Sequence, residues 1–217
     1  GRGLITSVGY QDRYQTIIEY IRPFFSRGNL GFFSGRWVGR LTKLYWLRRK
    51  ELGGGQIVAE STHIFDIARY LLGEAMEVYA VKRLGLMEDV KGYNIEDASS
   101  VTINFQNGVF GTIFSGNFLK IQKGDTGLDF YFTDKIVEYT ERQRVKVDYG
   151  DKTEKITENS NEIVLREDRA FIKAVKDRNS KTIKSSYIDG VRTLALTLAA
   201  NKSMETGKVE KVEKISN

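Results

Sequence analysis

Apolar residues first recur at helical spacing in DRYQTIIEYIRPFFSRGNLG (12–31), where Ile17, Ile18, Ile21, Phe24 and Phe25 share one face. Asp12 opens that helix and Gly28 closes it, while Pro23 predicts a kink or an early end because its nitrogen has no proton to donate. LITSVGY (4–10) ahead of it reads as a short strand, and GFFSGRWVGRLTKLYW (31–46) behind it reads as extended. The period then falls to two. EVYAVKRL, DASSVTINF, GVFGTIFSGNFL, GLDFYFT, KIVEYTER and QRVKVDY predict successive strands. Asn107-Gly108, set between VTINF and VFGTIF, predicts a two-residue type I′ hairpin with positive φ at both positions. Helical spacing returns in LREDRAFIKAVKDR and in YIDGVRTLALTLAANKSMETGK, where Ile188, Val191, Leu194, Leu196, Leu198 and Ala199 give a broad apolar face.

Helices at both ends of a block of hairpins predict an α+β fold: a mainly antiparallel, open-faced sheet with helices on one face. No repeat, low-complexity tract or proline-rich linker divides the chain, so residues 1–217 are expected to form a single domain. The uncovered face of such a sheet must meet solvent, a second subunit or a cleft.

Composition narrows the class. With 41% hydrophobic and 12% aromatic residues in 217, the chain has material for a sizeable core. Lys and Arg outnumber Asp and Glu by 34 to 28, with the densest positives in GRWVGRLTKLYWLRRKE. A nucleic-acid role for that stretch is the weakest reading, since it is short and carries no binding motif. The absence of cysteine removes disulfides, thiolate metal sites and a cysteine nucleophile, and one histidine precludes a multi-histidine metal site. No run of about 18 apolar residues suits a bilayer, and GRGLITSVGY lacks a signal-peptide core, so a cytoplasmic location away from membranes is expected.

The sole histidine, His63, lies in GGGQIVAESTHIFDIARYLLGE. At about 100° per residue, Ile64, Ile67, Ala68 and Leu71 fall between about 40° and 140° from it, with Asp66 and Arg69 opposite. His63 is therefore expected at the border of core and solvent, with Glu60 and Asp66 each three residues away and able to hydrogen-bond the imidazole. That spacing suits acid/base chemistry, and it equally suits a border residue beside an Asp66 that pairs with Arg69 or Arg13. The triple glycine has neither G-x-G-x-x-G spacing nor a P-loop lysine, and predicts a tight turn that starts the helix close to the sheet.

In order, these residues resemble the Gfo/Idh/MocA family of nicotinamide-dependent oxidoreductases. Its corresponding helix reads SGGG-x-x-x-D/E-x-x-x-H-x-x-D-x-x-x-x-L-x-G. VGYQDRY is similar to the strand and turn opening its C-terminal domain, SRGNLG to its helix exit, Trp46 to the tryptophan before its glycines, and YIDGVRTLALTLAANKSMETGKVEKV to its closing helix and last strand. The resemblance implies a dihydrodipicolinate-reductase-like C-terminal fold. It also implies an N-terminal Rossmann domain for NAD or NADP and a lysine in an E-K-P motif, neither of which the sequence contains; GRGLIT lacks the last glycine of a dinucleotide string. The expectation is thus the substrate-binding and oligomerisation half of an oxidoreductase acting on a sugar, cyclitol or related polyol, holding no cofactor and inactive alone.

By the same resemblance His63 falls on the catalytic histidine. The acid four residues before it is replaced by Ala59, so Glu60 substitutes only if the backbone before Ser61 is irregular. Asp66 takes an orienting role. Tyr10, Arg13, Trp46, Arg48 and Arg49 are candidates for the substrate side, as aromatic faces and charged donors suited to a polyhydroxylated ring. A homo-oligomer through the sheet face is expected. The competing reading is a non-catalytic dimerisation module, or a pseudo-enzyme, of the same fold.

Overall fold

The computed structural model describes residues 4–216; Gly1, Arg2, Gly3 and Asn217, and with them the glycines of GRGLIT, lie outside the described residues. Among the described residues, nine strands form one sheet in the order β8-β7-β6-β5-β1-β4-β3-β2-β9. They are β1 (Leu30–Arg40), β2 (Ala75–Arg83), β3 (Ala98–Phe105), β4 (Phe110–Leu119), β5 (Asp125–Phe132), β6 (Ile136–Thr140), β7 (Arg144–Asp148), β8 (Thr153–Thr157) and β9 (Glu210–Lys211). All pairings are antiparallel except that of β1 with β4 at the centre. The α+β architecture, with a mainly antiparallel sheet, is as the patterning predicts.

Alternation decides which face is covered. Val101, Ile103 and Phe105 of β3, Val137 and Tyr139 of β6, and Val145 and Val147 of β7 point inward and are buried, while their polar neighbours point out. Onto this inner face pack α1 (Thr16–Ile21), with Ile17, Ile18 and Ile21, and the helix bearing His63. The edge strand β8 escaped the sequence reading because TEKIT has one large apolar residue, and charges suit an edge that must not recruit another strand.

Four local expectations are corrected. LITSVGY forms no strand; it is tied to Ser185 through backbone and side-chain bonds at Val8. The long first helix is broken into a 3-10 turn at Gln11–Tyr14, then α1, then a 3-10 turn at Arg22–Arg27 that begins where Pro23 withdraws its donor, and Gly28 ends it at φ +68°. The extended run stops at Arg40, and Tyr45–Arg48 is a 3-10 turn. The hairpin after β3 exists, but only Gly108 takes positive φ (+83°), with bonds from Gly108 N to Phe105 O and from Phe105 N to Val109 O. That is a three-residue loop with a glycine bulge rather than a type I′ turn.

The chain closes with α5 (Ile163–Asp177) and α6 (Tyr187–Thr206). The buried face of α6 is not the predicted aliphatic stripe: Leu196 and Ala199 are buried, but Ile188, Leu194 and Leu198 are exposed. Gly190, Thr193, Thr197, Ala200, Asn201 and Ser203 face inward instead, because small and hydroxyl side chains let α6 lie close and make polar bonds that aliphatic ones cannot. Ser203 accepts from Ala80 N, and Asn201 donates to Gly54 O. Among the described residues no helix is long and apolar enough to cross a membrane.

The parallel pair at the centre sets a strict limit on size. A Cβ at Gly111 would stand 2.3 Å from the Phe33 carbonyl oxygen and 2.2 Å from its ring. Gly111→Ala is therefore expected to destabilise the protein by about 1–3 kcal/mol, read as a lower urea midpoint at unchanged m-value; an unchanged midpoint contradicts this packing.

Candidate active site

The triple glycine turns a tight corner. Lys50–Gly53 forms the short helix α2, Gly54 and Gly55 take φ of +80° and +102°, and α3 (Gln56–Ala59) starts at once. A Cβ at Gly55 would lie 3.1 Å from a carboxylate oxygen of buried Glu96, and Glu96 Oε1 accepts from Ile57 N at 3.2 Å. The glycines thus admit a protein carboxylate to the start of α3, which fits the tight-turn reading.

A second break follows. Glu60 adopts φ −128°, ψ −61°, and α4 (Thr62–Leu72) begins two residues later. The backbone before Ser61 is therefore irregular, the condition under which Glu60 leaves the direction expected from an unbroken helix. Its carboxylate accepts from Asn117 Nδ2 of β4, and burial lifts its pKa above the ordinary glutamate value, an effect Asn117 opposes.

Helix α4 is buried nearly all round, so Asp66 and Arg69 do not face solvent as their angular position suggests. Asp66 accepts two bonds from Arg13, from Nε at 2.7 Å and from Nη2 at 2.6 Å, and a third from the Thr193 hydroxyl at 2.7 Å. Arg13 and Arg69 both also pair with Asp189 of α6. Asp66 therefore joins the opening turn and the closing helix to the histidine helix.

His63 sits at the border, with 23% of its side chain exposed. Trp37 of β1 stacks on the imidazole at a centroid distance of 6.1 Å and an interplanar angle of 19°. Tyr10 meets it edge-on at 5.9 Å and hydrogen-bonds Thr62 Oγ1 at 3.0 Å. Nδ1 is buried and has no hydrogen-bond partner among the described residues; it lies 3.8 Å from Asp12 Oδ2. Burial holds the imidazole pKa below its ordinary value; Asp12 and Asp66 push the other way, and Arg142 adds to the lowering. The ring is not sealed in the core, and hollows lie elsewhere on the surface. One of those hollows lies between Glu74, Gln106, Arg192 and the C-terminal segment, and another beside Ser7, Val8, Glu167 and Phe171.

Behind His63 lies a charged cluster that the sequence did not disclose. Asp12 is bound by Arg142 Nε at 2.7 Å and Gln15 Nε2 at 3.0 Å. Burial, then the Asp12 charge, raises the Glu141 pKa. Burial, then Asp168 and Asp12, pushes Glu167 up to about 7.

The structure thus brings Tyr10 and His63 together, with Glu60 on Asn117. Arg13, at 2% exposed, is committed to Asp66, Asp189 and the Lys184 carbonyl. Trp46 is exposed, Arg49 pairs with Glu51, and Arg48 donates to Thr42 O. No ring contact or hydrogen bond links any of those three to His63 among the described residues. Trp37, Asp12, Asn117 and Arg142 are the neighbours that sequence reading missed; they come from other elements, and no spacing signals them.

Residues 27–138 match the GFO/IDH/MocA C-terminal domain. A myo-inositol 2-dehydrogenase of Thermotoga maritima is 26% identical over 175 residues, covering 76% of this chain and 51% of that protein. The chain spans about half the length of that relative. Among solved structures, a levoglucosan dehydrogenase in complex with NADH and levoglucosan superposes with a TM-score of 0.84 at 19% identity, over 99% of this chain and 68% of that one. A UDP-N-acetylglucosamine 3-dehydrogenase from Acidithiobacillus ferrooxidans gives 0.77 at 16% identity, over 94% and 63%. At such identities the structural likeness establishes the fold.

The raised Glu167 pKa has a thermodynamic consequence. Its contribution to stability is present below the unfolded value of 4.5 and is lost as pH rises through about 7. Glu167→Gln, which never ionises, is expected to raise Tm by about 2–4 °C near pH 8 and to leave it unchanged near pH 4; equal shifts at both pH values contradict the assignment.

Proposed function

Because this chain belongs to the Gfo/Idh/MocA family, matching its C-terminal domain over residues 27–138, we propose that it is the substrate-binding and oligomerisation half of an NAD(P)-dependent oxidoreductase acting on a sugar, cyclitol or related polyol. The observation that carries this reading is the setting of His63: a partly exposed imidazole stacked on Trp37, edged by Tyr10, with one nitrogen turned inward towards a carboxylate. Such a ring can accept the proton of a substrate hydroxyl at Nε2, while half-buried Trp37 beside it offers apolar surface to a sugar or cyclitol and buried Tyr10 supports the ring from behind. Glu60, just before α4, and Asn117 of β4 form a second polar group for further hydroxyls.

The nicotinamide nucleotide, which in this family takes the hydride, is assigned to a domain outside the described residues. The glycine turn before α3 is occupied by Glu96, whose carboxylate would repel a pyrophosphate. The proposed division of labour therefore gives this chain the polyol and the proton.

The outer sheet face supports the oligomerisation half of the reading. Phe32 stacks on Tyr131 at 4.7 Å and on Phe110 at 6.1 Å, and Phe32, Phe110, Phe114, Tyr79 and Val81 all stand exposed. An apolar surface on this scale is costly to leave in water and suits a second copy of the sheet. The same face favours the second reading, a dimerisation module without catalysis.

Two experiments separate the readings. In the full-length protein supplied with NAD or NADP and a panel of cyclitols and sugars, His63→Ala is expected to lower kcat by about 10²–10⁴-fold with assembly intact. An unchanged rate leaves the module reading, and turnover by these 217 residues alone overturns the assignment of the cofactor elsewhere. Phe110→Asp combined with Phe114→Asp is expected to convert the oligomer to monomer by light scattering; an unchanged mass moves the interface off this face.

A further inference from the structure

The inward nitrogen of His63 has no hydrogen-bond partner among the described residues, although it is shut away from solvent. An unpaired buried polar atom is costly, and native structures rarely keep one without a use. The residue that faces it is Asp12, with Oδ2 at 3.8 Å and a side chain only 2% exposed. Asp12 is itself held from two sides: Arg142, at the turn between β6 and β7, donates from Nε at 2.7 Å and from Nη2 at 3.3 Å, and Gln15 donates from Nε2 at 3.0 Å. Gln15 in turn donates to the Tyr139 hydroxyl at 2.8 Å. The carboxylate is therefore fixed by β6, by its flanking turn and by the opening turn, while the imidazole, held by ring contacts with Trp37 and Tyr10, makes no hydrogen bond through Nδ1 among the described residues. A rotation that moves Nδ1 by about 1 Å brings it within hydrogen-bond reach.

Resting on the reading of His63 as a proton acceptor, we propose that Asp12 is the positioning residue of that histidine: Asp12 Oδ2 accepts from His63 Nδ1–H, which fixes the tautomer and leaves Nε2 as the base. When the substrate O–H gives up its proton, the proton goes to Nε2, the O–H bond breaks, and the imidazolium so formed is stabilised by the carboxylate, which takes no proton itself. The alternative carboxylates are engaged elsewhere. Glu60 is bound by Asn117, and Asp66 by Arg13 and Thr193.

The charges facing the pair fix the direction of each test. His63 faces Asp12 from the opening turn, Arg142 from the β6–β7 turn and Asp66 from its own helix. Asp12 faces Arg142, Glu141, Tyr139 and, from α5, Glu167. Removing the Asp12 charge lowers the proton affinity of the ring, and removing the Arg142 charge raises it. A general loss of packing does not yield opposite signs.

His63 is the only histidine, so its ring resonances are unambiguous in a ¹³C,¹⁵N titration of the protein. Asp12→Asn is expected to lower the His63 titration midpoint and abolish the preference for Nδ1–H. Arg142→Gln is expected to raise the midpoint. In the full-length oxidoreductase Asp12→Asn is expected to lower kcat on the order of a hundredfold with less change in KM, to move the kcat/KM pH profile with the ring, and to be restored in part by Asp12→Glu. An unchanged midpoint and tautomer in folded Asp12→Asn overturn the proposal. If that variant does not fold, an unmoved midpoint in Arg142→Gln overturns it instead. A wild-type protein that oxidises no polyol removes the functional reading but not the pairing, because the titration reads the ring directly.

Discussion

The buried ion pair between Arg13 and Asp66 is the interaction on which the rest of the arrangement depends. Both side chains are almost wholly excluded from water, at 2% and 1% exposure. Removing one partner of such a pair typically costs about 3–5 kcal/mol, because the other charge is then stranded. The pair does not stand alone: Thr193 and Asp189 of α6 and Arg69 of α4 complete a network that joins the beginning, middle and end of the chain. It also sets a register. Arg13 grips Asp66, and in consequence its neighbour Asp12 is brought opposite His63, one helical turn earlier.

The fold keeps its two faces for different tasks. On the inner face, alternating Val, Ile and Phe residues bury themselves under α1, α4 and α6, and the centre is so tightly packed that glycine alone fits opposite Phe33. Towards the ends of β1 and β4 that face gives way to Trp37 and Asn117, the residues that meet His63 and Glu60. Because β1 and β4 run parallel, both deliver these side chains beside the break between α3 and α4. On the outer face Phe32, Phe110 and Phe114 stand exposed, the surface that the proposed function gives to a second copy.

Much of this was legible in the residues, for reasons that can be named. Strands such as ASSVTINF and RVKVD alternate cleanly because one side is core and the other is not, so period alone located them. The glycines, His63, Asp66 and the closing helix formed an ordered series that pointed to the family over most of the chain. Where the reading failed, chemistry had replaced hydrophobicity: α6 buries threonine, serine and asparagine because they bond to Asp66, Ala80 and Gly54, and Leu194 and Leu198 are left outside. Asp12 read as a helix opener because its partners, Arg142 and His63, are remote in sequence and adjacent only once the sheet has formed. Trp37 carried no signal for the same reason, being one aromatic among many in an extended stretch.

In the proposed function, Nε2 of His63 receives the proton of a polyol hydroxyl. A crystal structure of the full-length protein with its nicotinamide nucleotide and myo-inositol, the compound named for the Thermotoga maritima relative, tests it most directly. The expected result is a ring hydroxyl about 2.6–3.2 Å from His63 Nε2, with the ligand ring against Trp37. A cyclitol bound elsewhere, with His63 untouched, would contradict it.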